Sequence, residues 1–352
     1  MSKEKEKIGL QAGEIPNNQF PVGEQKLETL FLPMLSGPAT NQFSTLSTRT
    51  TPPDIDSVTG KAALSTGIIK VSIKQYKELP GGLNVSTQKL LDVCTMVLKK
   101  QNDYRGKGPV NTLVSIPLDD IYKLLGTPDT KSSKDKARRK LKKDMDILFN
   151  ISLDWEEKIK GKIKDFDSIR ICTRKRIKAG IIIFRFGEDI AEYLNNAYIM
   201  QYPLILLTLD ERNPNTYHIG RKLVEHNSID NNVRKKTANI IGVKSLLAVC
   251  HDIPSYEQVM ESNRNLEQRI IDPIEKALNT LESLPIITWE YCNSKGIPLS
   301  EEQLESNSYN TWKDLFIKFT MIEAPDQTAR IQARDQEAKE LKNKKAASKK
   351  KK

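Results

Sequence analysis

A chain of 352 residues, 38% apolar and 29% charged, has room for two ordinary domains with their own cores and polar flanks, which argues against a fibrous or wholly unfolded protein. Its formal charge of +11 favours a polyanionic partner. The longest apolar runs, near Ile181–Phe184 and Leu204–Leu207, are too short to cross a bilayer, and no signal-peptide core follows the first residues, so a cytoplasmic protein is expected with no membrane partner.

Residues 1–62 are rich in Pro, Gly, Ser, Thr and Asn and hold no period. They are expected to be mostly disordered, with Leu27–Leu35 able to dock. Ile68, Ile69, Val71 and Ile73 then alternate as a strand, and Pro80-Gly81-Gly82 turns the chain. Ser86 is placed to cap a helix with Leu90, Leu91, Cys94, Val97 and Leu98 at helical spacing. Thr112–Ile116 reads as a short strand. Pro117 opens a second helix that Gly126 ends. After a polar turn, Ser132 or Ser133 starts a long helix to Phe149 with Ala137, Leu141, Met145 and Leu148 inward. Two strands, Ile151–Trp155 and Ile169–Thr173, flank a lysine-rich loop at Glu156–Lys164, and Ile181–Phe186 is a further strand.

Helix, strand, helix, turn, helix and a basic hairpin in that order make a winged helix, in which the last helix enters the major groove and the hairpin meets the backbone. The charge falls on those two elements. Lys131–Lys143 and Lys158–Lys178 are each +7, with −5 between them. The plan recurs in a helix at Asn215–Val224, a short helix at Ser245–His251 and a turn at Pro254-Ser255-Tyr256. A long helix at Asn263–Leu284 follows, with Leu266, Ile270, Ile274, Leu278 and Leu281 inside, then strands at Ile286–Tyr291 and Trp312–Ile322. Trp155 and Trp289 each follow a long helix, and both are expected to anchor a core. The expected fold is α+β: a winged-helix domain at 63–186, a second at 187–324, and a disordered basic tail at 325–352. That tail ends in Lys342–Lys352, which carries seven lysines and no acid.

The segment joining the modules contains Phe184-Arg185-Phe186-Gly187, Ile190-Ala191-Glu192-Tyr193-Leu194 and Tyr202-Pro203-Leu204. Asn213-Pro214-Asn215-Thr216-Tyr217-His218-Ile219-Gly220-Arg221-Lys222-Leu223 follows. An apolar hairpin before an N-P-x-x-Y-x-x-G-R-K helix start resembles the plasmid replication initiators with two winged helices, the type that binds repeated origin sites, over about residues 65–322. The resemblance implies binding of double-stranded DNA at origin repeats, opening of nearby AT-rich DNA and recruitment of the host replicative helicase or its loader. It also implies repression of the protein's own gene by a homodimer in some members. The long polar N-terminal region and the lysine tail depart from that pattern.

The candidate DNA contacts follow from chemistry. Lys134, Lys136, Arg138, Arg139, Lys142 and Lys143 on the first long helix suit phosphates and guanine edges. Lys158, Lys160, Lys162 and Lys164 on the expected wing suit phosphate, since lysine offers a point charge without a fork. Near the start of the second long helix, Asn263, Arg264, Asn265, Gln268 and Arg269 carry base-reading groups, the bland alternative being capping by Asn263 and polar surface. His218, Arg221, Lys222, Lys235 and Lys236 are candidate phosphate contacts.

Catalytic and metal signatures fail. Gly242-Val243-Lys244-Ser245 lacks the spacing of a phosphate-binding loop. His218, His226 and His251 form no metal-binding pair, and Asp119-Asp120 reads as first-turn helix charge. Cys94, Cys172, Cys250 and Cys292 lack metal spacing and read as buried thiols in a reducing compartment. No enzyme activity, cofactor or metal is expected. The rival readings are a winged-helix transcriptional regulator of a mobile element, a nuclease or relaxase, and an RNA-binding or structural protein.

Overall fold

The computed structural model describes residues 31–36, 54–55, 62–66, 69–73, 84–102, 110–159, 162–195, 198–229, 234–250, 252–262, 264–305, 308–322 and Gln336, with the backbone alone for 31–33, 35–36, 54–55, 62–66, 69–73, 153–159, 162–168, 198–199, 301 and 305. The expectations for the Lys342–Lys352 tail, Lys160 and Asn263 lie outside these residues. The chain divides into two compact units, one drawing on 53–82 and 86–197, the other on 26–52 and 198–352.

In the first unit, α1 (Val85–Gln101) is followed by β5 (Leu113–Pro117), α2 (Leu118–Leu124) and α3 (Lys131–Asn150). Ser86 does not cap α1. Its hydroxyl and that of Thr87 donate to Asp144 of α3 at 2.8 and 2.9 Å, joining the two helices through a buried carboxylate. Burial pushes that carboxyl above its usual range against the pull of the two hydroxyls. Gly126 ends α2 as expected: at φ +61° its N–H bonds the Lys123 carbonyl, and Thr127 N–H reaches Tyr122 O at 2.8 Å. The cap of α3 is Thr130, whose side chain accepts from Ser133 N–H, so the serines expected in that role lie inside the helix. Leu141, Met145 and Leu148 are buried together with Ile147, while Ala137 is half-buried.

After α3 come β6 (Ile151–Ile159), β7 (Lys162–Arg170), β8 (Cys172–Lys178) and β9 (Ile181–Phe186). The expected wing is corrected here. β6 and β7 pair with each other over nearly their full length and continue a five-stranded sheet with β2 (Asp54–Ile55), β3 (Ala62–Thr66) and β4 (Ile69–Ile73), in the order β2-β3-β4-β6-β7. The winged-helix sheet is β5-β9-β8, and its hairpin turns at Ala179-Gly180. Both turn residues take positive φ, 50° and 75°, as a two-residue type I′ turn requires. Cys172 is buried, and loss of solvent pushes its thiol up to about 12, which keeps it a packing group. α4 (Glu188–Asn195) stays with this unit and packs on β7 through a buried face of Ile190, Ala191 and Leu194, so the boundary falls at 197/198 and not at 186/187.

The second unit begins in the region expected to be disordered. β1 (Phe31–Ser36) pairs antiparallel with β10 (Tyr198–Pro203) in unbroken register, and Met34, opposite Met200, is fully buried. A 3-10 turn at Leu204–Thr208 leads to α5 (Pro214–Ser228), β11 (Ile240–Gly242), α6 (Val243–Leu247) and α7 (Tyr256–Glu261). A π turn at Glu267–Ile271 then runs into α8 (Asp272–Ser283), followed by β12 (Ile287–Cys292), α9 (Glu301–Glu305), α10 (Tyr309–Trp312) and β13 (Phe316–Met321). The sheet order is β11-β13-β12, the same return of the last strand to the middle as in β5-β9-β8. Each unit therefore carries a winged helix. The tryptophans do not correspond across the repeat: Trp155 lies on β6 in the added sheet, Trp289 on β12 in the winged-helix sheet. Trp289 is half-buried, and its indole donates to Asn279; Trp312 is the buried anchor and donates to Tyr291 at 2.9 Å. Among the described residues, no helix is long and apolar enough to cross a membrane.

Candidate nucleic-acid interface

In the first unit α3 turns a cationic face outward. Lys136, Arg138, Arg139, Lys142 and Lys143 are exposed, while its buried face holds the apolar core. Lys134 is drawn away from that face. Its ammonium pairs with Asp129 at 2.6 Å and lies 3.6 Å from Asp119, which makes it a clasp between helix start and turn. Arg138, Arg139 and Lys142 line one wall of a cleft of about 370 Å³ between α3 and β8. Lys175, Arg176 and Ile177 of β8 line the other, with Met145 and Asp146 also contributing from α3. The β8 cations were not singled out from the sequence. Their signal was the run Arg174-Lys175-Arg176-Ile177-Lys178 before Ala179-Gly180, a basic strand leading into a tight hairpin turn. Lys158, Lys162 and Lys164 lie on β6 and β7, away from the winged-helix hairpin.

In the second unit the helix equivalent to α3 begins later than expected, at Leu266, and opens with the π turn before Pro273. Proline has no N–H to give to a helix bond, and a π turn is one way for a helix to absorb that loss. Arg264, Asn265, Gln268 and Arg269 are all exposed at this end. The Asn265 side-chain oxygen accepts from Glu267 N–H at 2.9 Å, so capping falls on Asn265 and its amide N–H groups are what it can offer a ligand. Leu266 is half-buried, while Ile270 and the following core positions are buried. Farther along, the exposed face is mixed, with Asp272, Lys276, Asn279 and Glu282, and the half-buried Glu275 accepts from Tyr291. Arg264, Asn265, Gln268 and Arg269 cluster at the start of this helix, and Lys276 is a further exposed cation along it.

Two expected phosphate contacts are corrected. His218 and Arg221 are 3% and 2% exposed, packed inside α5 where no phosphate can reach them. Lys222 is half-buried and pairs with Glu225 at 3.5 Å. Lys235 and Lys236 are exposed beyond α5. α7 was missed. Ser255 and Gln258 form a reciprocal capping box there, and the Ser-x-x-Gln spacing is the sequence signal for it.

Two winged helices in one chain, each with the last helix of its helix-turn-helix carrying cations or amides outward, define a tandem winged-helix protein. Residues 68–208 match the family model described as initiator replication protein, WH1. That stretch is similar to the first winged helix of replication initiators. No curated protein matches the sequence. Two crystal structures of RctB domains 2 and 3 superpose on the chain. A selenomethionine form has TM-score 0.43 and 12% identity, covering 80% of this chain and 98% of that one. The segment RctB-155-483 has TM-score 0.41 and 12% identity, covering 79% and 96%. So weak a likeness says nothing about what this chain binds.

Proposed function

We propose that this chain is a cytoplasmic replication initiator that binds duplex DNA directly, at short repeats in the origin of a plasmid or similar mobile element. The observation that carries the reading is the matched placement of charge. The α3 face and the first turn before α8 occupy the same position in two winged helices, and both present phosphate- and base-binding groups. The first unit contributes mainly phosphate contacts through its cleft, and the second reads bases through Arg264, Asn265, Gln268 and Arg269. The protein acts by binding and assembly, without catalytic residues or cofactor of its own. The family resemblance supports recruitment of the host replicative helicase or its loader to the opened origin.

The test is footprinting across an origin with short direct repeats, paired with replication of a plasmid whose only initiator is this chain. Protection of each repeat and maintenance of the plasmid are expected. Protection confined to a promoter would make the protein a regulator, and Mg²⁺-dependent nicking would contradict action by binding alone.

A further inference from the structure

The cleft between α3 and β8 contains one acid among five cations. Asp146 stands one turn beyond Lys142, and its carboxylate pairs with the Lys175 ammonium across the cleft. Lys175 is also held from a second side, with Nζ 4.8 Å from the centre of the Phe149 ring. Its side chain is 25% exposed and that of Asp146 34%, so the pair is partly shielded from solvent. Among the described residues, Arg138, Arg139, Lys142 and Arg176 make no ion pair. A carboxylate facing those four cations repels any phosphate that enters, so generic affinity alone does not account for it.

We infer that Asp146 sets the specificity of this cleft for duplex DNA, as a built-in counter-charge that withholds Lys175 from the phosphate backbone and fixes β8 against α3. The inference rests on the reading that the cleft meets DNA. Lys175 then contributes position and not charge. The anion-binding set is the two arginine forks of α3 with Lys142 and Arg176, held at a fixed spacing by the latch. A lower generic affinity widens the gap between a proper site and random sequence, because non-specific binding is supplied almost wholly by phosphate contacts. Asp146 touches no base in this scheme; it is a positioning residue acting through Lys175.

The test is a salt titration of the full chain on an origin-repeat duplex and on a scrambled duplex. Asp146→Asn releases Lys175 and removes the repelling charge. Binding to the scrambled duplex should tighten, the log–log salt slope should steepen by about 0.9, the contribution of one phosphate contact, and the ratio of specific to scrambled affinity should fall. The double variant Asp146→Asn, Lys175→Gln removes both charges of the pair and should keep the wild-type slope. That arm keeps the test decisive: a slope flatter than wild type in the folded double variant means Lys175 already contacts phosphate and overturns the inference. An unchanged slope in folded Asp146→Asn overturns it as well. The triple variant Arg138→Ala, Arg139→Ala, Lys142→Ala separates the two levels. If the triple variant binds duplex normally, the cleft is not an interface at all. If it binds weakly while Asp146→Asn behaves as wild type, only the latch is wrong.

Discussion

Gly220 shows how one residue of the N-P-x-x-Y-x-x-G-R-K segment sets helix packing. A Cβ built there would lie 2.7 Å from a methyl of Leu206 and 3.1 Å from one of Leu281, so the glycine lets α5 lie close against the 3-10 turn and α8. Gly220→Ala should cost the second winged helix about 1–3 kcal/mol through overpacking, measured by denaturant unfolding; an unchanged midpoint would mean that the two leucines give way freely. The same segment misled at His218 and Arg221. Charged and polar residues at a helix start read as surface, and nothing local in the sequence says that this helix is buried almost all round from Asn215 to Val224. His226 has a different role. Its Nε2–H donates to the carbonyls of Thr237 and Ile240 at 3.1 and 2.9 Å, tying α5 to β11. Burial lowers its pKa below 6.5, against the opposite pull of the two carbonyls. Because the folded value is depressed, the stability from the neutral ring is present above 6.5 and is lost as the pH falls through the folded value. The melting temperature of the wild type should therefore drop between neutral and mildly acidic buffer. His226→Gln, which keeps a donor and cannot titrate, should drop less; equal losses would remove His226 as the cause.

Elements that depend on local rules were legible, and those that depend on partner choice were not. The Pro117 start and Gly126 end of α2, the long α3 and the core spacing of α8 follow from capping and period, which are local. Two basic hairpins in succession offered no local clue to which one joins β5. Strand pairing is settled by distant partners, here β4 for β6 and β5 for β9. The wing was consequently placed one hairpin too early, and the cations of β8 were passed over for those of β6 and β7. β1 illustrates the same limit: Phe31–Ser36 is a short apolar run in a polar region, and only Tyr198–Pro203 makes it a strand. Met34 is fully buried in that pairing, so Met34→Ala should destabilise the second unit by about 2–5 kcal/mol in thermal or chemical unfolding. A cost near zero would show that β1 packs loosely and that β10 stands without it.

At the scale of the whole molecule, the repeat was visible as an order of elements and is a repeat of topology, with β5-β9-β8 matched by β11-β13-β12. The added five-stranded sheet has no counterpart among the described residues of the second unit, which is why aligning Trp155 with Trp289 misled. Charge is divided unevenly as well: α3 and β8 carry dense cations, while the second helix groups Arg264, Asn265, Gln268 and Arg269 at its start and mixes Lys276 and Asn279 with acids farther along. Under the proposed function, that division gives generic affinity to the first unit and base reading to the second. The most direct test is a competition assay of Gln268→Ala and Arg269→Ala on the origin repeat and on a scrambled duplex, with circular dichroism to confirm folding. Each variant should lose about 1–3 kcal/mol on the repeat and little on the scrambled duplex, where phosphate contacts supply the binding. Equal losses on both duplexes by folded variants would contradict base reading by this helix and move specificity to Arg138 and Arg139.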